Sequence, residues 1–533
     1  MLDILITGGL IVDGTGSPAY KMDLGIKEGK IVKIQSSIKE DAKKIINAEG
    51  FIVSPGFIDV HSHNDLVPFM EEDVQNLKLR QGVTTELVGQ CGLGVVPCIE
   101  EETKIWKNYI KGVVGCPNIK FDFKDINDYF EKIEKVGMKN NYSVLISHGA
   151  VRAKVMGFKA SEASKDEIKS MCELVDNTMK QGAMGMSLGL QYMPGIYSKG
   201  EELIEVCKVV KKYDGIVMVH VRNHDRNIID AITEVINVAK ASGVKIHISH
   251  MRSYDSKELG CIANELIDLV DEATKSGVKI TYDEHLYLSG STLMTQLLPP
   301  WLTEKGNEAM LEMLKDDEVI EKVKKEIEDL STNYVGWDNY SAIAGWDGIL
   351  ITSLNKEVNL KYIGRTVGEL AREKGIHPVN FVASLLISEE TGVGIVTLNI
   401  FSEEDTIKLI KHPLQMVGSD SIPAGAPHPR LYGNYPLFIG KYVRDKKALT
   451  IEEGIYKSTL LPAKTLGLKD VGEIKEGKNA DITIFDLNEI EGYEDYKNKS
   501  KRPKGIKYVI VNGRVSIDNE LILLSKNGKV IRK

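Results

Sequence analysis

The tripeptide His61-Ser62-His63 closes the apolar run Phe57–Val60. On an extended strand, residues i and i+2 face the same side, so the two imidazoles would stand together and could share one metal ion. An isolated H-x-H pair specifies little, but three more ligand-type residues occupy equivalent places. His220 ends the run Ile216–Val219, His250 ends Ile246–Ser249, and Asp420 follows Met416-Val417-Gly418-Ser419. Neutral imidazole and carboxylate are the usual ligands of a catalytic divalent ion, zinc above all. Cys91 lies in Val88-Gly89-Gln90-Cys91-Gly92, where flanking glycines lift the backbone into a turn after another apolar run. A thiolate binds zinc strongly and can bridge two ions. The cysteines at 98, 116, 172, 207 and 261 have no such company.

These residues need a frame that brings the ends of several strands together. The runs Val53–Val60, Thr84–Val88, Ser143–Ile146, Ala183–Ser187, Ile216–Val221, Lys245–Ser249, Val278–Tyr282 and Gln415–Val417 are apolar with little polar alternation, as strands buried on both faces are. Helical spacing marks Glu162–Lys180, Ser198–Lys212, Asn227–Ala241 and Glu258–Lys275 between them. This alternation predicts an α/β protein, a (β/α)8 TIM barrel, with its active site at the C-terminal strand ends. Val393–Leu398 competes for a place among the strands. Glycine-punctuated short β-runs at both ends of the chain predict one small β-sandwich built from both termini. The expected boundaries are 1–54 and 471–533 for the sandwich and 55–470 for the barrel. A stretch from about 293 to about 351, with Pro299-Pro300-Trp301 and a charged helical run, breaks the rhythm and is expected to be an insertion over the active face.

The 533 residues are 42% hydrophobic and 27% charged, an ordinary globular balance. Lys plus Arg number 68 against 76 Asp plus Glu, giving a net charge of −8. An acidic excess argues against nucleic-acid binding, which needs a basic face. No apolar run approaches the roughly 20 residues of a membrane helix, and the opening residues resemble no targeting signal. The scattered cysteines read as reduced thiols. The expectation is a cytoplasmic protein acting on a small molecule, with no nucleic-acid or membrane partner; the oligomeric state is left open.

Pro55-Gly56-Phe57-Ile58-Asp59-Val60-His61-Ser62-His63 resembles the first-strand motif of the amidohydrolase superfamily. Gly89-Gln90-Cys91-Gly92, Gly189-Leu190-Gln191-Tyr192-Met193-Pro194-Gly195, Val219-His220-Val221-Arg222, Ile248-Ser249-His250, Gly418-Ser419-Asp420 and Pro427-His428-Pro429-Arg430 resemble its D-aminoacylase branch, the N-acyl-D-amino-acid deacylases. Pro462-Ala463, Gly472, Glu476-Gly477 and Ala480-Asp481 resemble the group's closing signature. The resemblance implies a tightly held zinc on Cys91, His220 and His250, and a second, weaker metal position on His61, His63, Cys91 and Asp420. It implies Asp420 as the catalytic acid/base and Arg430 as the grip on the substrate α-carboxylate; Arg252, a cation where the branch usually has lysine, is expected to help that grip. It also implies Tyr192 and Tyr287 as pocket tyrosines.

The chain departs from the pattern in places. Met251-Arg252 stands where the branch usually has His-Lys, and Tyr282-Asp283-Glu284-His285-Leu286-Tyr287 where it has a Tyr-Pro-Tyr motif. Ser421, not glycine, follows Asp420. No lysine matches the carbamylated bridge of many amidohydrolases; Met184 and Met186 occupy the fourth run. That weakens the alternative of a cyclic-amide hydrolase of the dihydropyrimidinase or dihydroorotase kind; a related N-acyl amino acid or dipeptide hydrolase remains open. Gly185-Met186-Ser187-Leu188-Gly189 fits the G-x-S-x-G of serine hydrolases, but a loop, not a helix, is expected after it. A metal-holding module without catalysis is a third reading; a carboxylate such as Asp420 beside the metal argues against it.

Overall fold

A computed structural model describes residues 1–97, 104–120, 122–254, 262–304, 306–424, 428–496 and 501–533. Eight parallel strands form the centre. They are β1 (Phe57–Asp59), β2 (Val83–Val88), β3 (Asn141–Ser147), β4 (Gly185–Gly189), β5 (Ile216–His220), β6 (Lys245–Ile248), β7 (Ile280–Glu284) and β8 (Gln415–Val417). Each pairs with the next. The ring closes just beyond the strand ends, where Ser62 bridges Ser421, Asp420 N donates to His61 O at 2.8 Å and His63 N donates to Ser421 O at 2.9 Å. The (β/α)8 barrel expected from the apolar runs is therefore the fold.

Two expectations about runs are corrected. The run Val53–Val60 is two strands: Ile52–Pro55 pairs antiparallel with Ile482–Phe485 outside the barrel, and only Phe57–Asp59 enters it. Periodicity alone cannot divide a continuous apolar run. The competing run contributes Gly394–Thr397 to a separate three-stranded antiparallel sheet with Gly290–Leu293 and Ile349–Ser353.

Helices α1 (Lys165–Lys180), α2 (Gly200–Lys212), α3 (Ile228–Ser242) and α4 (Ala263–Lys275) cover the barrel. Each puts an apolar stripe inward: Met171, Val175 and Met179 of α1, for example, are buried. Ser164 and Glu167 form a reciprocal capping box that fixes the start of α1. The predicted start of the fourth helix at Glu258 lies outside the described residues, as does Pro427. Inside the barrel, Ile58, Leu87, Leu145, Met184, Met218 and Met416 pack on Leu461 and Leu466. The barrel is thus a filled core, and functional groups must sit at its rim.

Both chain ends build one sandwich. Leu2–Thr7, Asp23–Lys27, Lys30–Gln35 and Ala42–Asn47 form one sheet; the other includes Leu10–Ile11, Ile52–Pro55, Ile482–Phe485, Ile506–Val511 and Arg514–Asp518. Ile4, Ile6, Leu24, Ile26, Ile482 and Ile510 fill the space between them. Between β7 and β8 the chain makes a further layer with its own core, including Leu302, Val323, Ile351, Val382 and Ile395. No helix among the described residues is long and apolar enough to cross a membrane.

Candidate metal centre and substrate cleft

The ligand-type residues converge at the C-terminal rim. His61 and His63 follow β1, Cys91 follows β2, His220 ends β5, His250 follows β6 and Asp420 follows β8. Three of them hold left-handed backbone: φ is +54° at Cys91, +34° at His250 and +48° at Asp420. Such conformations are uncommon outside glycine and persist where surrounding structure enforces them. Gly189 shows the enforcement, since a Cβ there would lie 1.9 Å from Cys91 O. The end of β4 thus admits the Cys91 loop only because it carries no side chain.

Two ligand clusters share the thiol. Candidate ligand atoms of Cys91, His220 and His250 lie within 4.8 Å of one another, as do those of His61, His63, Cys91 and Asp420. Cys91 Sγ is 3.3 Å from His61 Nε2 and 3.8 Å from His250 Nε2, and His220 Nδ1 is 2.9 Å from His250 Nε2. All six residues are buried. Sulfur, nitrogen and nitrogen converging at one point, with space on the cleft side, form the donor set of an open catalytic zinc site. The residues present therefore fit a zinc ion.

The surroundings orient the ligands. Asp283 of β7 accepts from His61 Nδ1 at 3.0 Å, from His247 Nε2 at 2.8 Å and from His250 N at 3.0 Å. Burial pushes the Asp283 carboxyl up, but His61 and His247 outweigh it and hold it far below the ordinary range. The contact fixes the ring so that Nδ1 donates to Asp283 and Nε2 faces Cys91. His220 Nε2 meets Gln191 Oε1 at 2.8 Å. Burial lowers the His250 imidazole to about 4 and His220 well below its usual value, so both are neutral, as ligands must be.

Asp420 sits at the junction. Its Oδ1 lies 3.4 Å from His61 Nε2 and 3.3 Å from His63 Nε2, and its Oδ2 lies 2.9 Å from Arg430 Nη1. Burial raises this carboxyl, but Arg430, His61 and His63 hold it well below the carboxylate range. The cavity beside it is lined by His63, Cys91, Tyr192, Asp420 and Arg430, together with Tyr254, Leu293 and Phe401.

Two of the expected substrate residues stand apart. Tyr287 does not line this cavity; its hydroxyl donates to Pro429 O at 3.2 Å, behind His428. Arg252 is buried, with Nη2 on His285 at 2.7 Å and its guanidinium 3.6 Å from the Phe401 ring centre. His285, not Arg252, reaches the cavity wall. The Ser187 hydroxyl is buried on β4, donates to Gly89 O and accepts from Gly92 N at 3.0 Å. It braces the Cys91 turn and is no exposed nucleophile. Asp283, Gln191 and His285 also stand at the site, though no ligand pattern in the sequence marks Gln191. Asp283 and His285 occupy i and i+2 at the end of β7, the same signal that exposed His61 and His63.

A model of the amidohydrolase family matches residues 44–330 and 356–517. The chain is 27% identical to D-aminoacylase of Alcaligenes xylosoxydans xylosoxydans, covering 96% of this chain and 93% of that one. It is 28% identical to N-acyl-D-glutamate deacylase of the same organism, with the same coverages of 96% and 93%. Among solved structures, N-acyl-D-glutamate deacylase from Bordetella bronchiseptica, complexed with zinc and a phosphonate mimic of the tetrahedral intermediate, superposes with a TM-score of 0.84 at 26% identity, covering 100% of both chains.

Proposed function

Because the chain belongs to the amidohydrolase family, we propose that it is a zinc-dependent hydrolase that cleaves the amide bond of N-acyl-D-amino acids, releasing a carboxylic acid and the free D-amino acid. The observation that carries this reading is the Cys91 thiol standing between two buried ligand clusters, with the Asp420–Arg430 pair at their edge. A cyclic-amide hydrolase with a lysine-derived bridge has no matching residue here, since Met184 and Met186 are the buried methionines at β4.

Cys91, His220 and His250 are proposed to hold the tight zinc, and His61, His63, Cys91 and Asp420 a weaker second position. Zinc held there supplies a Lewis acid for the acyl carbonyl and acidifies water. Asp420 is proposed to take a proton from the attacking water on Oδ1 and return it to the leaving nitrogen. Arg430 orients the substrate through its α-carboxylate, and Tyr192 closes the wall beside His220, their ring centres 4.6 Å apart. Arg252 supports from behind His285. The layer between β7 and β8 covers the cleft and limits water entry. The Cys91, Cys116, Cys172 and Cys207 thiols are unpaired, which supports placing the protein in the cytoplasm.

The test is a hydrolysis panel of N-acetyl-D- and N-acetyl-L-amino acids, with hydantoins and dihydropyrimidines, on zinc-loaded protein. Turnover confined to the D-series is expected. Preference for the cyclic amides or for the L-series would overturn the assignment.

A further inference from the structure

Asp338 lies in the layer between β7 and β8, 118 residues beyond His220 in sequence, and is fully buried. Its carboxylate receives only donors. Gln191 Nε2 donates to Oδ2 at 2.7 Å, Asn223 Nδ2 to Oδ1 at 3.2 Å, His224 N to both oxygens at 3.2 Å and Asp225 N to Oδ1 at 3.3 Å. Asn223 is held in return, accepting from Gly336 N at 3.0 Å and donating to Trp337 O at 3.1 Å. One carboxylate thus pins the loop after β5 and the amide of Gln191 to the overlying layer.

The direction of each bond follows from chemistry. Burial and the neighbouring Asp225 push the Asp338 carboxyl up to about 8, against the hydrogen bonds from Gln191, Asn223 and His224, and the orientation is carried by geometry: both oxygens face N–H donors, and the Gln191 amide turns its NH2 toward Oδ2. Its Oε1 then faces His220, and an amide oxygen can only accept. The atom it meets, His220 Nε2 at 2.8 Å, must therefore carry the ring proton. A neutral imidazole has one proton, so His220 Nδ1 is left with a free lone pair beside His250 Nε2, 2.9 Å away.

We infer that Asp338 and Gln191 are positioning residues that set the tautomer and orientation of His220, so that the layer between β7 and β8 is a working part of the metal centre. This rests on the proposed role of His220 as a zinc ligand. Groups that hold the far nitrogen of a metal-binding histidine are typically worth about 10–100-fold in metal affinity.

Reversing the polarity of the chain tests this. Asp338→Asn keeps the shape and keeps an acceptor for the backbone N–H groups of His224 and Asp225. It can present a donor to the Gln191 NH2, which favours an amide flip and sets NH2 against the His220 N–H. Zinc affinity, measured by chelator competition, is expected to fall about 10–100-fold. In the double variant Asp338→Asn/Gln191→Glu, the amide introduced at position 338 donates to a carboxylate whose other oxygen accepts from His220. The net charge and the acceptor facing His220 are both restored, and zinc affinity is expected within about threefold of wild type, far from the single-variant loss. A residue that only supports packing would not be rescued this way. Unchanged affinity in the single variant, or a double variant as weak as the single or weaker, overturns the inference. If the single variant does not fold, a folded double variant with near-native zinc affinity still supports it, and an unfolded or weak one overturns it. His220→Ala separates the premise: it should lose the tight zinc, and a variant that keeps it removes the ligand role and the inference with it.

Discussion

Arg430 Nη1 lies 2.9 Å from Asp420 Oδ2, both groups buried, ten residues apart in sequence. The carboxylate proposed to move a proton and the guanidinium proposed to hold the substrate carboxylate are therefore already an ion pair. After burial, Arg430 is the largest influence on the Asp420 carboxyl and the first of those that lower it. A substrate carboxylate arriving at Arg430 competes with Asp420 for the same charge. On the proposed roles, substrate binding would be coupled to the basicity of Asp420: sharing Arg430 would let its carboxylate become a better proton acceptor.

Arg430→Lys retains charge but loses the planar fork that grips a carboxylate through two bonds. The expected loss in kcat/KM for N-acyl-D-amino acids is about 2–3 kcal/mol. The corresponding N-acyl amino-acid amides carry no carboxylate and should be hydrolysed about equally by both forms. Equal losses on acid and amide substrates would mean that Arg430 serves mainly to hold Asp420 or the loop.

Asp420→Asn preserves size and the acceptor facing His61 and His63 but cannot shuttle a proton. Turnover should fall about 10²–10⁴-fold with substrate binding retained. Steady-state kinetics with zinc content measured in parallel decide the matter. Normal turnover at normal metal content would remove Asp420 from the acid/base role.

Cys91→Ala should lose bound zinc on dialysis and activity with it, because the thiol belongs to both ligand clusters. Ser187→Ala is the contrasting variant. Its hydroxyl braces the Cys91 turn through Gly89 and Gly92, so the cost is in stability, about 1–3 kcal/mol, and activity per folded molecule is retained. Metal analysis, chelator inhibition and thermal unfolding of the two variants provide the check. A full zinc equivalent in Cys91→Ala, or a dead Ser187→Ala that binds zinc normally, would reverse the assignment.

The barrel and the clustering of the candidate ligands were legible because each rests on local pattern. Strands buried on both faces write continuous apolar runs, and His61, Cys91, His220, His250 and Asp420 each sit where such a run stops. What holds those ligands was not legible. Asp283 reaches His61 across 222 positions of sequence, and Asp338 reaches Gln191 across 147. Such pairings depend on barrel closure and on the docking of a separate layer, which periodicity does not encode. The division of Val53–Val60 between sandwich and barrel was hidden for the same reason, since both strands are apolar and only their partners differ.

The seam between sandwich and barrel carries a pH dependence of its own. Asp481 precedes the sandwich strand Ile482–Phe485; its Oδ1 accepts from Asn512 N at 2.8 Å and from Asn141 Nδ2, at the start of β3, at 3.4 Å. Burial raises its carboxyl from 3.8 to about 6, with those two hydrogen bonds offsetting only part of the effect. Between those values the folded chain binds a proton that the unfolded chain has released, so this contribution favours folding most below 3.8 and is lost as pH rises through 6. The change amounts to about 3 kcal/mol. Asp481→Asn keeps an acceptor for Asn512 N and removes the titration. The difference in thermal stability between wild type and variant should therefore shift toward the variant as the pH is raised from about 4 to about 7. Other carboxylates titrate in the same window but affect both proteins alike, so the difference isolates this group. A gap that stays constant across the window would mean that Asp481 ionises normally in the folded protein, with water reaching the seam.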